Sequence, residues 1–234
     1  MRRLKYIAVI LYLWAGLALG QSVEIQSMHG EVRVRQGLSE DWSPARTGMT
    51  LRAIDSILSG ETGGAVLRLE NGASFRLGSW MVLDIGDLRR ISERDLFLYL
   101  MSEKVKQLPD AESRSLKIAR VSVVRAEDQS QEESQTVSEA MNREPLEFNG
   151  ARALFDQAFV TNAVMKVHRL LEHYPQSDNQ FRSHYLLGQC HEALHQSGRA
   201  LEAYCAALAA AEEEGNAKAI QSAKLAVQRL ESAE

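Results

Sequence analysis

From residue 22 onward, apolar side chains recur at every second position, and glycines or polar clusters break the run every few residues. Val23 and Ile25 alternate, Gly30 intervenes, and Val32 and Val34 alternate again. A period of two belongs to strands with one buried face, because successive side chains on an extended backbone point to opposite sides. After a polar loop from Gly37 to Arg46, the pattern resumes at Met49 and Leu51. It continues through Ile57, the stretch Ala65–Leu77, and Val82, Leu83 and Ile85. Leu96, Leu98 and Leu100 alternate with Phe97, Tyr99 and Met101. This predicts a central strand that is apolar on both faces, with two more strands at Val105–Leu108 and Ile118–Val124. Short strands at this spacing predict a compact sandwich, barrel or solenoid.

The segment Ala65–Leu77 fixes its own register. A hairpin must place the apolar side chains of both strands on one face. A two-residue loop at Asn71–Gly72 would pair Leu67 with Arg76 and mix the faces. A three-residue loop, Glu70 to Gly72, pairs Ala65 with Leu77, Leu67 with Phe75 and Leu69 with Ala73, which keeps them separate. It also puts Gly72 at the left-handed position such loops require.

From Leu146 the apolar period lengthens to between three and four, the signature of helices. Ala151, Leu154, Phe155, Ala158 and Phe159 form one face; Ala163, Val164, Val167, Leu170 and Leu171 form the next. His173-Tyr174-Pro175 ends that helix. Tyr185–Cys190 opens a third, Gln196-Ser197-Gly198 turns the chain, and Ala200–Ala211 forms a fourth, with Asn216 as cap to a last helix ending near Leu230. Ala163 and Leu171 are offset by 37 from Ala200 and Leu208, so two helix pairs repeat with that period. Ala126–Pro145, with six acids against Arg143 alone, cannot bury enough apolar surface to offset its ordering entropy and reads as a solvated tether. The chain is therefore read as multidomain, all-β plus all-α: a small β domain at 22–126, an acidic linker at 127–145, and an antiparallel helical-repeat domain at 146–234.

Composition adds an address. Arg2, Arg3 and Lys5 precede the 14-residue apolar run Tyr6–Leu19 and the small exit residues Ala18 and Gly20. Crossing a bilayer takes roughly 20 apolar helical residues, so 1–20 reads as a cleaved signal peptide rather than an anchor. The whole chain holds 27 basic and 31 acidic residues; losing three signal cations leaves 24 against 31, a formal charge of −7. Such a surface disfavours nucleic acid and anionic lipid. Cys190 and Cys205 are expected as two small buried thiols.

The residues Gly30-x-Val32-x-Val34, Gly48, Leu51, Asp55-x-Ile57-x-Ser59-Gly60, Ala65-x-Leu67-x-Leu69-x-Asn71-Gly72 and Leu77 together resemble the FecR domain of exported bacterial proteins. Ile54 and Ser59 depart from it, standing where a glycine and a threonine are usual. Leu187-Gly188, Ala200, Tyr204, Ala207 and Leu208, with Tyr174-Pro175-x-Ser177, are similar to tetratricopeptide repeats. That second resemblance implies a concave protein-binding face presenting Phe148, Arg152, Phe155 and Asp156 from one helix pair. From the next it implies Arg182, Tyr185, Gln189 and Glu192.

One string looks catalytic. His191-Glu192-Ala193-Leu194-His195 matches H-E-x-x-H, in which histidines one helical turn apart bind zinc and the glutamate activates water. It lies within the better-matching repeat, where residue 195 begins a turn, and only Glu212–Glu214 could supply a third ligand downstream. The expectation is thus a periplasmic or secreted, non-enzymatic adaptor or scaffold of the bacterial envelope, with no cofactor and no metal. Its partner would be an envelope protein or peptide, not nucleic acid, with a homo-oligomer as a further option and no stable membrane span after signal cleavage. A FecR-type regulator retained by its N-terminal segment and a zinc metallopeptidase are the alternatives.

Overall fold

A computed structural model of the chain describes residues 22–106, 143–177 and 179–232. The expected signal peptide, most of the expected acidic linker, and the strand expected at Ile118–Val124 lie outside the described residues.

The first part consists of short strands: β1 (Ser22–His29), β2 (Val32–Arg35), β3 (Ser43–Pro44), β4 (Thr50–Arg52), β5 (Ser56–Ser59), β6 (Gly64–Leu69), β7 (Ser74–Leu77) and β8 (Met81–Asp84). They form two four-stranded antiparallel sheets, ordered β4-β1-β6-β7 and β3-β2-β5-β8, and neither closes into a barrel. The alternation reads through into burial. Val23, Ile25, Leu51, Leu67, Phe75 and Leu77 are buried in the first sheet, and Val32, Val34, Ile57, Val82 and Leu83 in the second. Although β1 and β2 are adjacent in sequence, they belong to different sheets, the chain crossing over at Gly30.

The β6–β7 hairpin has the register the sequence predicts: Ala65 faces Leu77 and Leu67 faces Phe75, and the Leu69 amide donates to the Ala73 carbonyl at 2.8 Å. Gly72 has φ +81° in open space, so a side chain there would meet strain and no clash. The Asp55-x-Ile57-x-Ser59 motif does structural work. Buried Asp55 accepts from the Gly37 and Arg52 amides, both at 2.8 Å, pinning two loops to one carboxylate. The Ser59 hydroxyl donates to the Gly78 carbonyl and accepts from the Met81 amide at 3.1 Å, fixing the turn into β8. The unusual Ile54 is exposed at the turn and leaves this network intact.

A 3-10 turn, Ile85–Leu88, follows β8. The expected central strand at residues 96–101 is instead helix α1, Glu93–Lys106, which also takes up Val105. Its start is fixed by a capping box: the Ser92 hydroxyl accepts from the Asp95 amide while the Asp95 carboxylate accepts from the Ser92 amide, each at 3.2 Å. α1 belongs to a unit separate from the strands before it.

The strands up to Arg90 and the helices from Glu144 together make the other unit. Its helices are α2 (Arg143–Asp156), α3 (Val160–His173), α4 (Gln180–Ala193), α5 (Ser197–Glu213) and α6 (Ala217–Glu231). Their first residues are 143, 180 and 217 in one series and 160 and 197 in the other, so the 37-residue period is built into the backbone. α3 packs on α4, α4 on α5, and α5 on α6. The turn after α4 is Leu194–Gln196; Ser197 and Gly198, expected in it, open α5. Asn216 caps α6 as anticipated, its side-chain oxygen accepting from the Ala219 amide at 3.2 Å.

Strands and helices meet through polar and apolar contacts. On α3, Asn162 donates to the carbonyls of Asp87 and Arg89 at 2.6 and 2.8 Å. One turn on, Lys166 places its ammonium 2.8 Å from the Asp87 carboxylate; the two side chains are 4% and 6% exposed, and Arg169 pairs with the same carboxylate. Gly150 of α2 lies against β8, where a Cβ would sit 2.3 Å from the Val82 carbonyl oxygen. The Phe75 and Phe159 rings pack edge to face at 5.7 Å. Gln157 places its amide on the outer edge of β7, accepting from the Arg76 amide at 2.7 Å and donating to the Arg76 carbonyl at 2.9 Å.

Candidate functional site

A helical repeat sets equivalent residues of successive units side by side, so residues one period apart become neighbours. Arg152 of α2 donates to Gln189 of α4 at 3.0 Å, and Arg229 of α6 donates to Glu192 of α4 at 2.7 Å; both pairs are 37 residues apart. This phase brings Phe148, Arg152, Arg182, Tyr185 and Gln189 together around one open cavity of about 330 Å³.

The cavity's floor is aromatic. The Arg182 guanidinium lies 4.3 Å from the centroid of the Phe148 ring, a cation–π contact. Arg152, one turn along α2 from Phe148, is held by Gln189 and by an ion pair to Asp156 at 3.0 Å. Tyr185 lies between Phe181 and Tyr204, its ring centroid 5.4 and 5.2 Å from theirs. That packing depends on Gly188, where a Cβ would stand 2.6 Å from the Tyr204 ring.

Three of the eight residues expected on this face do not line the cavity. Phe155 is half-buried with Arg152 stacked on it at 5.6 Å, and Asp156 serves as Arg152's counter-ion. Glu192 accepts from the Tyr204 hydroxyl at 3.0 Å and pairs with Arg229, which ties α4, α5 and α6 together. Phe181 and Leu186, which sequence reasoning missed, complete the lining. Phe181 was legible from its i,i+4 spacing to Tyr185.

A second cavity, about 500 Å³, is larger but is lined only by one contiguous stretch, 43–49, made of β3 and the loop after it. It gathers no side chains from separate elements, so the smaller helical cavity is the better-built site.

The H-E-x-x-H residues are arranged for packing. α4 ends at Ala193, and His195 lies beyond it in the left-handed region at φ 57°, so the two histidines do not stand one turn apart on a continuous helix. His191 is buried, with Nδ1 2.9 Å from the Gln196 amide oxygen; burial lowers its pKa, partly opposed by that contact. Glu192 is engaged by Tyr204 and Arg229. Burial, and then the Glu192 carboxylate that accepts its proton, holds the Tyr204 hydroxyl above its ordinary pKa. Among the described residues, no three His, Cys, Asp or Glu side chains lie close enough to hold a metal ion. Both cysteines are free. Cys190 is buried, which pushes its thiol up to about 12, whereas Cys205, expected to be buried, is exposed.

No protein-family model matches the chain, and no curated protein matches it either. Among the described residues, no helix is long and apolar enough to cross a membrane.

Proposed function

We propose that the protein is an exported, periplasmic or secreted adaptor of the bacterial envelope, in which a FecR-like β sandwich is fused to tetratricopeptide-like helices that bind another protein. The observation behind this reading is the convergence of Phe148, Arg152, Arg182, Tyr185 and Gln189 on one aromatic cavity. These residues come from equivalent faces of two repeats, and a groove of this kind suits an extended or helical peptide. The side chains around it are engaged in packing, stacking and ion pairs, so it offers a binding surface and no activated nucleophile.

A photo-crosslinking residue placed at position 185 of the full exported chain tests the assignment, with position 38, fully exposed in a β-module loop, as control. Discrete adducts at 185 that disappear on Arg182→Glu are expected. Adducts confined to 38 would move the binding role to the strands. N-terminal sequencing of the exported chain should find Gln21 first.

A further inference from the structure

Arg152 and Arg229 are neutralised within the helices, by Asp156 at 3.0 Å and by Glu192 at 2.7 Å. Arg182 is not. It is exposed, and among the described residues it makes no ion pair and no hydrogen bond; its guanidinium is held only by the 4.3 Å stack on Phe148. No carboxylate is in the lining of the cavity it borders. We propose that Arg182 alone sets the charge preference of this cavity, which takes a peptide carrying one Asp or Glu side chain beside a single aromatic or large aliphatic anchor. This rests on the adaptor reading above and names its ligand, with Arg152 as a structural part of the wall.

An arginine laid on an aromatic ring keeps its planar fork of N–H donors pre-organised. Because those of Arg182 have no protein partner, a carboxylate meets them without displacing one. At Arg152 it would have to compete with Asp156 and Gln189. A cationic segment would bring like charge to Arg182, and a wholly apolar one would strip water from its donors with nothing in exchange. One acid is what the site calls for.

The anchor follows from the rest of the lining, where Phe148, Phe181, Tyr185 and Leu186 offer apolar surface. A cavity of about 330 Å³ lies at the small end of the range for ligand pockets, enough for one bulky side chain. It is open, and α4 continues from it to Glu192, tied to Arg229 of α6, so a bound chain runs on along the helices. The carboxylate is therefore assigned to a side chain and not to the end of a chain.

The test selects random twelve-residue peptides on the full chain, then measures selected peptides, capped at both ends, by fluorescence anisotropy. A single Asp or Glu beside Phe, Tyr, Trp or Leu is expected. Changing that acid to its amide should weaken binding about tenfold, the effect of losing one charge-assisted hydrogen bond. Arg182→Ala should cost as much and bind acid and amide peptides alike, Arg182→Glu should prefer Lys in place of the acid, and Arg152→Gln should leave the acid-over-amide ratio unchanged. Circular dichroism checks that each variant is folded. A ratio that survives Arg182→Ala or vanishes in Arg152→Gln would overturn the assignment and leave the adaptor reading standing. So would peptides that lose binding on Tyr185→Ala yet carry no acid or need a free C-terminus. If selection yields no peptide that depends on Tyr185 or Arg182, both fall.

Discussion

Replacing Asp87 by alanine isolates the contact that joins strands to helices. Lys166 is buried, and its ammonium has Asp87 at 2.8 Å and Asp84 at 3.8 Å, the latter side chain 39% exposed. Removing one partner of a buried pair typically costs about 3–5 kcal/mol, because the remaining charge is left desolvated without compensation. Asp84 recovers part of that through a longer, wetter contact, and Arg169, 40% exposed, can turn to water. The expected loss is therefore near the low end, about 3 kcal/mol, out of a total stability that for ordinary proteins is about 5–15 kcal/mol. With a urea m value of about 2 kcal/mol/M, that is a midpoint shift of about 1.5 M. Urea titration of the protein reads it twice: by the fluorescence of Trp42 and Trp80 for the strands, and by circular dichroism for the helices. Asp87→Leu combined with Lys166→Met should recover most of the loss, since an apolar pair of similar volume removes both desolvation terms. A loss below about 1 kcal/mol, or a double variant no more stable than Asp87→Ala, would refute the reasoning.

Gly72→Val should cost on the order of 1 kcal/mol or more, purely as backbone strain at φ +81°, and an unchanged melting midpoint would contradict the left-handed turn. Gly150→Ala should cost about 1–3 kcal/mol by forcing α2 off the Val82 carbonyl; the same substitution at Ala-tolerant Gly198, with nothing near it, is the control in parallel melts. His191 has a native pKa below its ordinary 6.5, so the unfolded chain binds more protons than the native one between those values. Stability from this group is full above pH 6.5 and falls as the pH drops through 6.5 toward the native pKa; His191→Gln should flatten that slope in urea titrations at pH 7.5 and 5.5.

The hairpin and the repeat were legible because each is a local rule. Leu67, Phe75 and Gly72 admit only one register, and residues 37 apart carry matching small and apolar types. Residues 96–101 misled because Leu-Phe-Leu-Tyr-Leu-Met is apolar at every position and therefore carries no period. The deciding signal was at the edge, in Ser92-x-x-Asp95, whose reciprocal hydrogen bonds start a helix. Lys166, Asn162 and Gln157 were illegible for a different reason: each reads as an ordinary solvent-facing residue until the partner surface is present. The same holds for Glu192, expected in a binding groove and found bracing α5 and α6. Phe148, Arg152, Arg182, Tyr185 and Gln189 come together around one cavity because the repeat fixes their phase.

The amide of Gln157 imitates a neighbouring strand. It occupies the donor and acceptor that Arg76 would otherwise offer to any passing chain, and an open strand edge is a template for aggregation. The strands are therefore not a portable part. Cutting the chain after Arg90 removes the plug along with the helices, and an isolated β piece would turn sticky for a reason unrelated to its biological contacts. Gln157→Ala in the intact chain reproduces that exposure one residue at a time.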